Sequence, residues 1–516
     1  MPLLSKPPSS VIIIGGGFSG LAMACQLQRT FDLDDYIIYD RNNGIGGTWW
    51  ANTYPGCGVD IPGICYSLSF APNPNFTKLF PPQSEILNYM HRVASYYGVC
   101  DHFIGNTEWE GADWQDEKQL WLVRLKDLQT GDQFTRECRI LISGVGGLVN
   151  PRKLDVEGSE TFEGSIIHTA QWQKSVDLRD KHVSVIGNGG VSPYSCDRVG
   201  KYSDRSAASA IQLVPEIIKE AKSVTQFMRS SHHLVESPNY EISPFWQSVF
   251  CYHPSILYVL RFLMFIYMEV SFLHSQTNNP GRLARANSER NSREYVRRTA
   301  PVKYWNLLIP TFEFGCRRRV FDRAYTKSLH RDNFTLTNDP IVQIKPTAIV
   351  TDSKEEIYAD IIILATGFAL TQYDIEIKGR HGKTRAQYWK EAEGKSTFKT
   401  VAMSEFPNFF YILGPNSGRV YTSTLVIIES QVNLVINVIR PIILRHASSV
   451  EVRASGDKQY QDGLNHALEN TIYNRSCSSY FIDEYTGKNW FIYPWNSVHL
   501  WWEMYWNAAV GWEYHT

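Results

Sequence analysis

Three glycines near the start of the chain have the spacing that lets a backbone bind a pyrophosphate. Gly15, Gly17 and Gly20 directly follow the apolar run Val11–Ile14, which is typical of a buried strand. In such a loop the first glycine permits a tight turn, the second lets the backbone approach phosphates, and the third lets helix and strand pack closely. Asp40 ends a second apolar run and can accept hydrogen bonds from ribose hydroxyls. The sequence therefore predicts a dinucleotide-binding unit over residues 11–40.

A second glycine pair starts the same pattern later in the chain, but the pattern is interrupted. Gly187 and Gly189 follow the predicted strand 181–186, whereas the next helical pattern begins only at Ser206. The intervening residues 191–205 are polar and rich in turn formers. Without them the sequence would run Gly-Asn-Gly-Gly-Ser-Ala-Ala, a good phosphate-binding turn. Three interpretations stay open: a loop that leaves the site intact, an insertion that inactivates it, or an error in the gene model.

The residues after the next predicted strand, 223–228, bear on which nucleotide the second loop binds. Arg229 and Ser230 stand at the strand end, where the first unit has Asp40. A basic residue there suits a 2′-phosphate, which favours NADP over NAD. The alternative is an ordinary solvated arginine at the end of a strand.

The order of these units along the chain predicts the fold class. Alternating strands and helices are typical of α/β proteins, and two later apolar runs, 358–364 and 407–412, each end in a small-residue turn. We therefore predict an α/β protein with two Rossmann-like dinucleotide-binding domains, the second inserted into the first, plus a helical insertion. The predicted boundaries are 1–150 and 351–516 for the first domain, 151–240 and 311–350 for the second, and 241–310 for the helical insertion.

The balanced charge of the chain argues against nucleic acid as a partner. The 516 residues include 51 basic and 52 acidic ones, so nothing favours a nucleic acid. The nine cysteines form no CxxC pair, which predicts a reduced, cytoplasmic protein without a metal site.

The apolar stretch 255–274 contains Arg261 and Glu269, so we expect a soluble amphipathic helix, with membrane-surface contact as the alternative. The sequence leaves the oligomeric state open.

Four ordered motifs resemble the single-chain, FAD- and NADPH-dependent Baeyer–Villiger monooxygenases, which are class B flavoprotein monooxygenases. The first is the initial glycine loop, and the second is Gly46–Asp60, similar to the family's GGxWxxxxYPGxxxD. The third is the linker between the two glycine loops, Phe162-x-Gly164-x-x-x-His168-x-x-x-Trp172, and the fourth is Asp360–Phe368. Trp172 favours the Baeyer–Villiger branch over related enzymes that oxidise amines or sulfides.

The resemblance implies that the first nucleotide domain binds FAD and the second binds NADPH. In the family NADPH reduces the flavin, which reacts with O2 to form a C4a-peroxyflavin. The peroxide then attacks a ketone carbonyl, and the product is an ester or a lactone. This chemistry needs a fixed positive charge beside the reacting oxygen.

The resemblance also implies roles for particular residues. The segment Phe314–Val320 is similar to the family's FGxKRP, so Arg318 corresponds to the catalytic arginine, and Asp60 corresponds to the acid beside it. Arg317 stands where the family has a lysine near the NADP phosphate, and Arg319 replaces the usual proline. Without the resemblance, three adjacent arginines would indicate a solvated turn. The other implied cofactor-binding residues are Gly15, Gly17, Gly20, Asp40, Gly47, Thr48, Trp49, Tyr54, Gly187, Gly189, Arg229, Ser230, Thr366 and Gly367. Phe162, Gly164, His168 and Trp172 would form a hinge between the domains.

The substrate is less well specified by the sequence. The aromatic segment 240–310 and the tryptophan-rich C-terminus suggest a roomy apolar pocket, which would suit a bulky ketone of secondary metabolism, such as a terpenoid, steroid or polyketide. Two alternatives stay open. One is an S- or N-oxygenating flavin monooxygenase, and the other is a flavin-binding protein inactivated by residues 191–205.

Overall fold

The computed structural model describes residues 8–173, 175–187, 207–369, 371–475, 477, 481–483 and 486–516. The predicted cofactor residue Gly189 and the segment 191–205 lie outside these ranges.

The chain opens with the predicted strand–loop–helix–strand unit. β1 pairs in parallel with β2 on one side and with β6 on the other, and its residues Val11–Ile13 are fully buried. The elements up to residue 151 are β1 (Ser9–Ile14), α1 (Phe18–Phe31), β2 (Tyr36–Tyr39), α2 (Thr48–Ala51), α3 (Gln83–Tyr96), β3 (Phe103–Ile104), β4 (Thr107–Gln115), β5 (Leu120–Asp127), β6 (Gln133–Ser143) and β7 (Asn150–Pro151).

The middle of the chain forms a second parallel sheet and a group of helices. The elements between residues 152 and 310 are β8 (Ser165–His168), β9 (His182–Ile186), α4 (Ala207–Ile217), β10 (Ser223–Phe227), β11 (Leu234–Glu236), α5 (Pro244–Tyr252), α6 (Pro254–Val270), α7 (Asn279–Thr299) and α8 (Trp305–Leu308). Those from 311 to 369 are β12 (Val320–Asp322), α9 (Tyr325–Ser328), β13 (Phe334–Thr337), β14 (Ile341–Lys345), β15 (Ala348–Thr351), β16 (Glu356–Tyr358), β17 (Ile361–Leu364) and β18 (Phe368–Ala369). The strand order in this sheet is β13-β10-β9-β17-β8.

The remainder of the chain returns to the first sheet. Its elements are β19 (Ile377–Lys378), α10 (Arg385–Glu391), β20 (Phe409–Tyr411), α11 (Thr424–Ile443), β21 (Ser449–Val452), α12 (Ala454–Glu469), α13 (Ile472–Arg475), α14 (Ser497–Trp501) and β22 (Trp512–His515). β19 pairs with β4, and β20 pairs with β6. The first sheet therefore has the order β19-β4-β5-β6-β1-β2-β3, with β20 also on β6. The predicted fold class, one nucleotide-binding domain inserted into another, is confirmed.

One predicted domain boundary needs correction. β17 pairs with β9 and β8 in the second sheet, so the boundary predicted at residue 351 moves beyond Leu364. The two connections between the sheets run side by side, since β7 pairs with β18 and Pro151 stands opposite Phe368. An apolar run before a small-residue turn looks the same whichever sheet receives it, which is why the sequence misplaced this strand.

The expectation that all cysteines are reduced also needs correction. Cys316 and Cys477 form a disulfide across 161 residues of sequence. Both lie in an apolar cluster with Leu464, Leu468 and Ile472, because α12 and α13 pack against the segment that carries Cys316. Contact over such a sequence distance leaves no trace in cysteine spacing.

Candidate active site

A cavity of about 860 Å³ extends from the first glycine loop to the triple-arginine segment. Its volume lies in the range of small-molecule and cofactor sites. Its walls bring together most of the residues predicted for the flavin site and for the reacting centre. These are Gly15, Gly17, Asp40, Gly47, Thr48, Trp49, Tyr54, Asp60, Arg317 and Arg318.

The glycines of this cavity leave room for a cofactor and for close packing around it. A Cβ atom on Gly47 would lie only 2.7 Å from Cα of Gly17, so a side chain there would fill the cradle between the two loops. A Cβ atom on Gly20 would lie 1.9 Å from the carbonyl oxygen of Gly15, which shows how tightly α1 packs against the turn. Gly17 caps the N-terminus of α1, where backbone N–H groups and the helix dipole favour phosphate. The residues present therefore fit the pyrophosphate of FAD.

Asp40 is held rigidly at the end of β2. Its carboxylate accepts hydrogen bonds from the backbone N of Gly16 at 2.6 Å and from the backbone N of Asn42 at 2.7 Å. Burial raises the pKa of Asp40, against the lowering effect of these bonds. The carboxylate borders the cavity, and its predicted bond to a ribose stays a prediction.

The second motif joins the two nucleotide domains. Tyr54 donates a hydrogen bond from its hydroxyl to Oε1 of Gln212 at 2.8 Å, and Nε2 of Gln212 donates to the carbonyl oxygen of Gly58 at 2.9 Å. Gln212 belongs to α4, so this helix is fixed against the flavin loop. Sequence reasoning missed Gln212, because no motif marks a single glutamine inside an apolar helix. Trp49 donates from Nε1 to the hydroxyl of Tyr66 at 3.1 Å on the same wall.

Arg318 and Asp60 form a bidentate ion pair at the end of the cavity. Nε of Arg318 lies 2.8 Å from Oδ2 of Asp60, and Nη2 lies 3.0 Å from Oδ1. The two side chains are 36% and 29% exposed, so both can still be reached from the cavity. Although 258 residues separate them in the chain, the fold brings the two side chains into contact; their roles in catalysis stay a prediction.

The arginines beside Arg318 have different surroundings. Arg319 donates from Nη1 to Oγ of Ser271 at 3.2 Å, which ties the segment to the helical insertion, and burial lowers its pKa. The guanidinium of Arg317 lies 4.2 Å from the centre of the Phe312 ring. Its predicted position near the NADP phosphate stays a prediction.

The predicted second nucleotide site lies at the carboxyl ends of β9 and β10. A Cβ atom on Gly187 would lie 2.4 Å from the carbonyl oxygen of Ala365, so this loop too needs glycine. Arg229 and Ser230 follow β10, as predicted. Burial and the neighbouring Arg229 guanidinium lower the pKa of Arg152, which places two cations near the strand end. Arg152 was missed, because it lies in the distant connection after β7.

The linker motif contacts the fourth motif directly. Nε2 of His168 lies 3.0 Å from the carbonyl oxygen of Gly367, and Nδ1 accepts from the backbone N of Ala170 at 3.0 Å. Nε2 therefore carries the proton and donates to Gly367. Burial lowers the pKa of His168 to about 4, so the ring is neutral at physiological pH.

The remaining linker and turn residues pack around this bond. A Cβ atom on Gly164 would lie 2.2 Å from the carbonyl oxygen of Asp360. Phe162 packs on the core of the second sheet, and Trp172 packs on the main core. Thr366 donates from Oγ1 to the carbonyl oxygen of Arg152 at 3.4 Å. The structure thus gathers the linker, the fourth motif and Arg152 at the junction of the two sheets.

Comparison with known proteins gives one family-model match and several long alignments. An NAD(P)-binding Rossmann-like domain matches residues 13–81. The FAD-binding monooxygenase BOA2 of Botryotinia fuckeliana is 30% identical over 431 residues, which cover 81% of this chain and 77% of that protein. A Baeyer–Villiger monooxygenase of Pseudomonas aeruginosa is 29% identical over 94% of this chain and 87% of its own length.

A solved structure supports the fold over the full length. Cyclohexanone monooxygenase from Rhodococcus sp. Phi1, bound to NADP+, superimposes with a TM-score of 0.83 over 99% of this chain and 100% of that one, at 19% identity. At this identity the likeness concerns the fold alone. The predicted family and the predicted cofactors, FAD and NADPH, are confirmed. The chain belongs to the FAD-binding monooxygenases, the family that includes the Baeyer–Villiger monooxygenases, and is an enzyme that depends on FAD and NADPH.

Proposed function

We propose that this monooxygenase carries out a Baeyer–Villiger oxidation of a bulky apolar ketone. One oxygen atom of O2 enters between the carbonyl carbon and a neighbouring carbon, which gives an ester or a lactone. The other oxygen atom leaves as water. NADPH and a proton supply the two electrons and two hydrogens that this water needs, so the ketone, O2, NADPH and H+ become ester, water and NADP+.

The observation that carries this proposal is the Arg318–Asp60 pair beside the flavin loops. When an oxygen nucleophile adds to a ketone, negative charge develops on the former carbonyl oxygen, and a nearby fixed cation stabilises it. Arginine suits this task because its guanidinium does not lose its proton in proteins. The bonds to Asp60 use Nε and Nη2 of the guanidinium, so Nη1 takes no part in the ion pair. Asp60 fixes the plane of the guanidinium and so its aim.

The other site residues bind and orient. FAD, when bound, supplies the electrons that activate O2, and NADPH supplies hydride to the flavin. Gly15, Gly17 and the N-terminus of α1 would hold the pyrophosphate, while Trp49 and Tyr54 would wall the flavin side of the cavity. These aromatic walls would exclude water from the reacting centre and so limit side reactions there.

The composition of the cavity wall supports an apolar substrate. Toward the C-terminal part of the chain the wall includes Val420, Ile427, Ile428, Phe481 and Phe491. Such a lining suits a large hydrophobic ketone of the kind made in secondary metabolism. A cytoplasmic location stays a prediction.

Oxygenation of sulfur or nitrogen is the competing function of the same cofactors. A neutral sulfide or amine accepts the oxygen atom directly. It forms no negatively charged carbonyl adduct, so its oxidation does not require a fixed cation. The bidentate placement of Arg318 therefore favours the ketone reaction.

A paired product measurement tests the proposal. The FAD-loaded full chain is supplied with NADPH, air and either a bicyclic ketone or a thioether of matched size. We expect lactone formation coupled to NADPH oxidation, with less sulfoxide from the thioether. Sulfoxide as the sole product would assign the competing function.

A further inference from the structure

The two charges of helix α6 both point into the protein. Arg261 donates from Nη1 to the carbonyl oxygen of Ile64 at 3.1 Å and to Oγ of Ser67 at 3.0 Å, and it pairs with Glu429 at 3.6 Å. Glu269 accepts hydrogen bonds from the backbone N and from Oγ of Ser497, both at 2.6 Å. These inward contacts anchor α6 and leave its outer face without either charge.

That outer face is apolar and open to solvent. Residues spaced three or four apart lie 46–70% exposed: Val259, Phe262, Leu263, Ile266, Tyr267 and Val270. We call this set the α6 face. Two described helices are apolar and long enough to cross a membrane, but they differ in burial: 61% of the α11 window is buried, against 11% for Pro254–Ser275. α11 is therefore a core helix, whereas the α6 face has no covering element in the described structure. An apolar surface of this kind usually marks an interaction site.

Exposed aromatic and basic side chains lie on elements that contact α6 or adjoin its C-terminal end. Trp246 on α5 is 50% exposed, and Trp502 and Trp506, which follow α14, are 55% and 68% exposed. α14 begins at Ser497, the residue bonded to Glu269, so this tryptophan segment starts at the end of α6. α7, which follows α6 after residues 271–275, carries six arginines and two glutamates; Arg285 is buried and paired with Glu313, whereas Arg282 in the first turn is exposed. Tryptophan is enriched at membrane–water interfaces, and exposed arginines attract anionic headgroups.

We propose that the α6 face docks the enzyme on an anionic lipid surface, with α6 lying in the plane of the interface. An interfacial helix has an apolar face toward the acyl chains and basic residues beside the headgroups, which is the arrangement found here. The inward anchoring of Arg261 and Glu269 removes the charges that would oppose this contact. The surface contact does not depend on which substrate the active site oxidises.

Charge favours lipid over a second copy of the chain. A symmetric dimer would place the same patch of both subunits together and so bring the exposed Arg282 side chains of both subunits toward one interface. Like charges in that arrangement repel each other, whereas anionic headgroups neutralise them.

Vesicle binding tests the proposal without any substrate. The FAD-loaded full chain is sedimented with phosphatidylcholine vesicles, with or without phosphatidylserine, at increasing salt. We expect binding to the anionic vesicles that weakens with salt. The Phe262→Gln/Ile266→Gln double variant should bind at least tenfold more weakly, and Arg282→Gln should weaken binding about fivefold, the effect of one basic residue near a charged membrane.

A matched double variant controls for general loss of surface hydrophobicity. Ile104 and Leu128, beside the first sheet, are each 44% exposed, so Ile104→Gln/Leu128→Gln should bind like the unchanged protein. Absence of vesicle binding would overturn the proposal, as would equal binding by the test and control variants. A dimer in sedimentation velocity that only the Phe262/Ile266 variant disrupts would assign the α6 face to a second copy instead.

Discussion

In the proposed reaction Arg318 and Asp60 act as one unit. The two hydrogen bonds, at 2.8 Å and 3.0 Å, fix the orientation of the guanidinium plane. An unpaired arginine would sample many rotamers and hold no single orientation. A lysine would supply charge in this place but no planar fork. The site therefore depends both on the presence of a cation and on its orientation.

Replacement of Arg318 should separate the reductive and oxidative halves of the reaction. In Arg318→Ala we expect ester formation to fall by about 100-fold or more, the usual loss when one oxyanion donor is removed. NADPH should still bleach the flavin absorbance, because the glycine loops and α4 are unchanged. The two rates are measured by product chromatography and stopped-flow spectroscopy.

Arg318→Lys serves as the graded comparison. It keeps the charge and loses the fork, so its ester formation should lie between that of Arg318→Ala and the unchanged enzyme. Normal ester formation by Arg318→Ala would contradict the role of this residue.

His168 gives the fold a defined acid sensitivity. Because burial lowers its pKa from 6.5 to about 4, the unfolded chain binds this proton at a higher pH than the folded chain does. The stabilisation is present above pH 6.5 and is lost as the pH falls from 6.5 toward 4. At 1.36 kcal/mol per pKa unit the loss reaches about 3 kcal/mol.

A His168→Gln variant tests this source of acid sensitivity. Glutamine can donate to Gly367 but does not titrate, so unfolding free energy measured by urea titration should depend less on pH between 6.5 and 4. His381→Gln, at a histidine 86% exposed, should leave the pH dependence unchanged. Parallel profiles for the unchanged protein and His168→Gln would contradict the assignment.

At the scale of elements, we expect the carboxyl end of β10 to set the choice of nucleotide. The neighbouring cations Arg229 and Arg152 suit a 2′-phosphate, which NADPH has and NADH lacks. In Arg229→Ala we expect KM for NADPH to rise about tenfold or more, with little change for NADH, because only the phosphate contact is lost. Steady-state kinetics with both nucleotides measure this. An equal change for both would show that Arg229 acts on the strand end as a whole.

The interrupted second loop makes a separate prediction. Gly187 directly follows β9 and α4 begins at Ala207, and Gln212 holds α4 against Tyr54 and Gly58. Because β9 and α4 are both positioned on either side of the interrupted loop, we expect the full chain to bind NADPH and the bound flavin to be reduced. Deletion of residues 191–205 should change NADPH affinity by less than about tenfold. If NADPH reduces the flavin only after residues 191–205 are deleted, the inactivating interpretation is supported.

The elements show where sequence reasoning succeeds and where it stops. The loop at Gly15–Gly20 and the run ending at Asp40 were predictable because local spacing dictates local geometry. β17 was assigned to the wrong sheet, because an apolar strand carries no information about its partner. Gln212 and Arg152 were missed for a related reason: each acts across a domain junction, and nothing near them in sequence indicates the contact.

In the described part of the molecule two main sheets, one mixed and one parallel, are linked by a paired crossing. β7 and β18 carry the chain between the sheets at the same place, next to the His168–Gly367 bond. The Arg318–Asp60 pair then joins the segment that follows the insertion to the second flavin motif. Only the family resemblance connected these two residues before the fold was known, since no local pattern links positions 258 residues apart. The Cys316–Cys477 disulfide, formed at the same end of the cavity, had no such guide.

The fate of the oxygen atoms tests the central claim most directly. The FAD-loaded full chain is supplied with NADPH, a bulky apolar ketone and ¹⁸O2, and the product is analysed by mass spectrometry. The proposed function predicts an ester or lactone that carries a single ¹⁸O atom. One molecule of this product should form for each NADPH consumed in coupled turnover. NADPH consumption that yields only labelled hydrogen peroxide, with the ketone unchanged across a panel of such substrates, would contradict it.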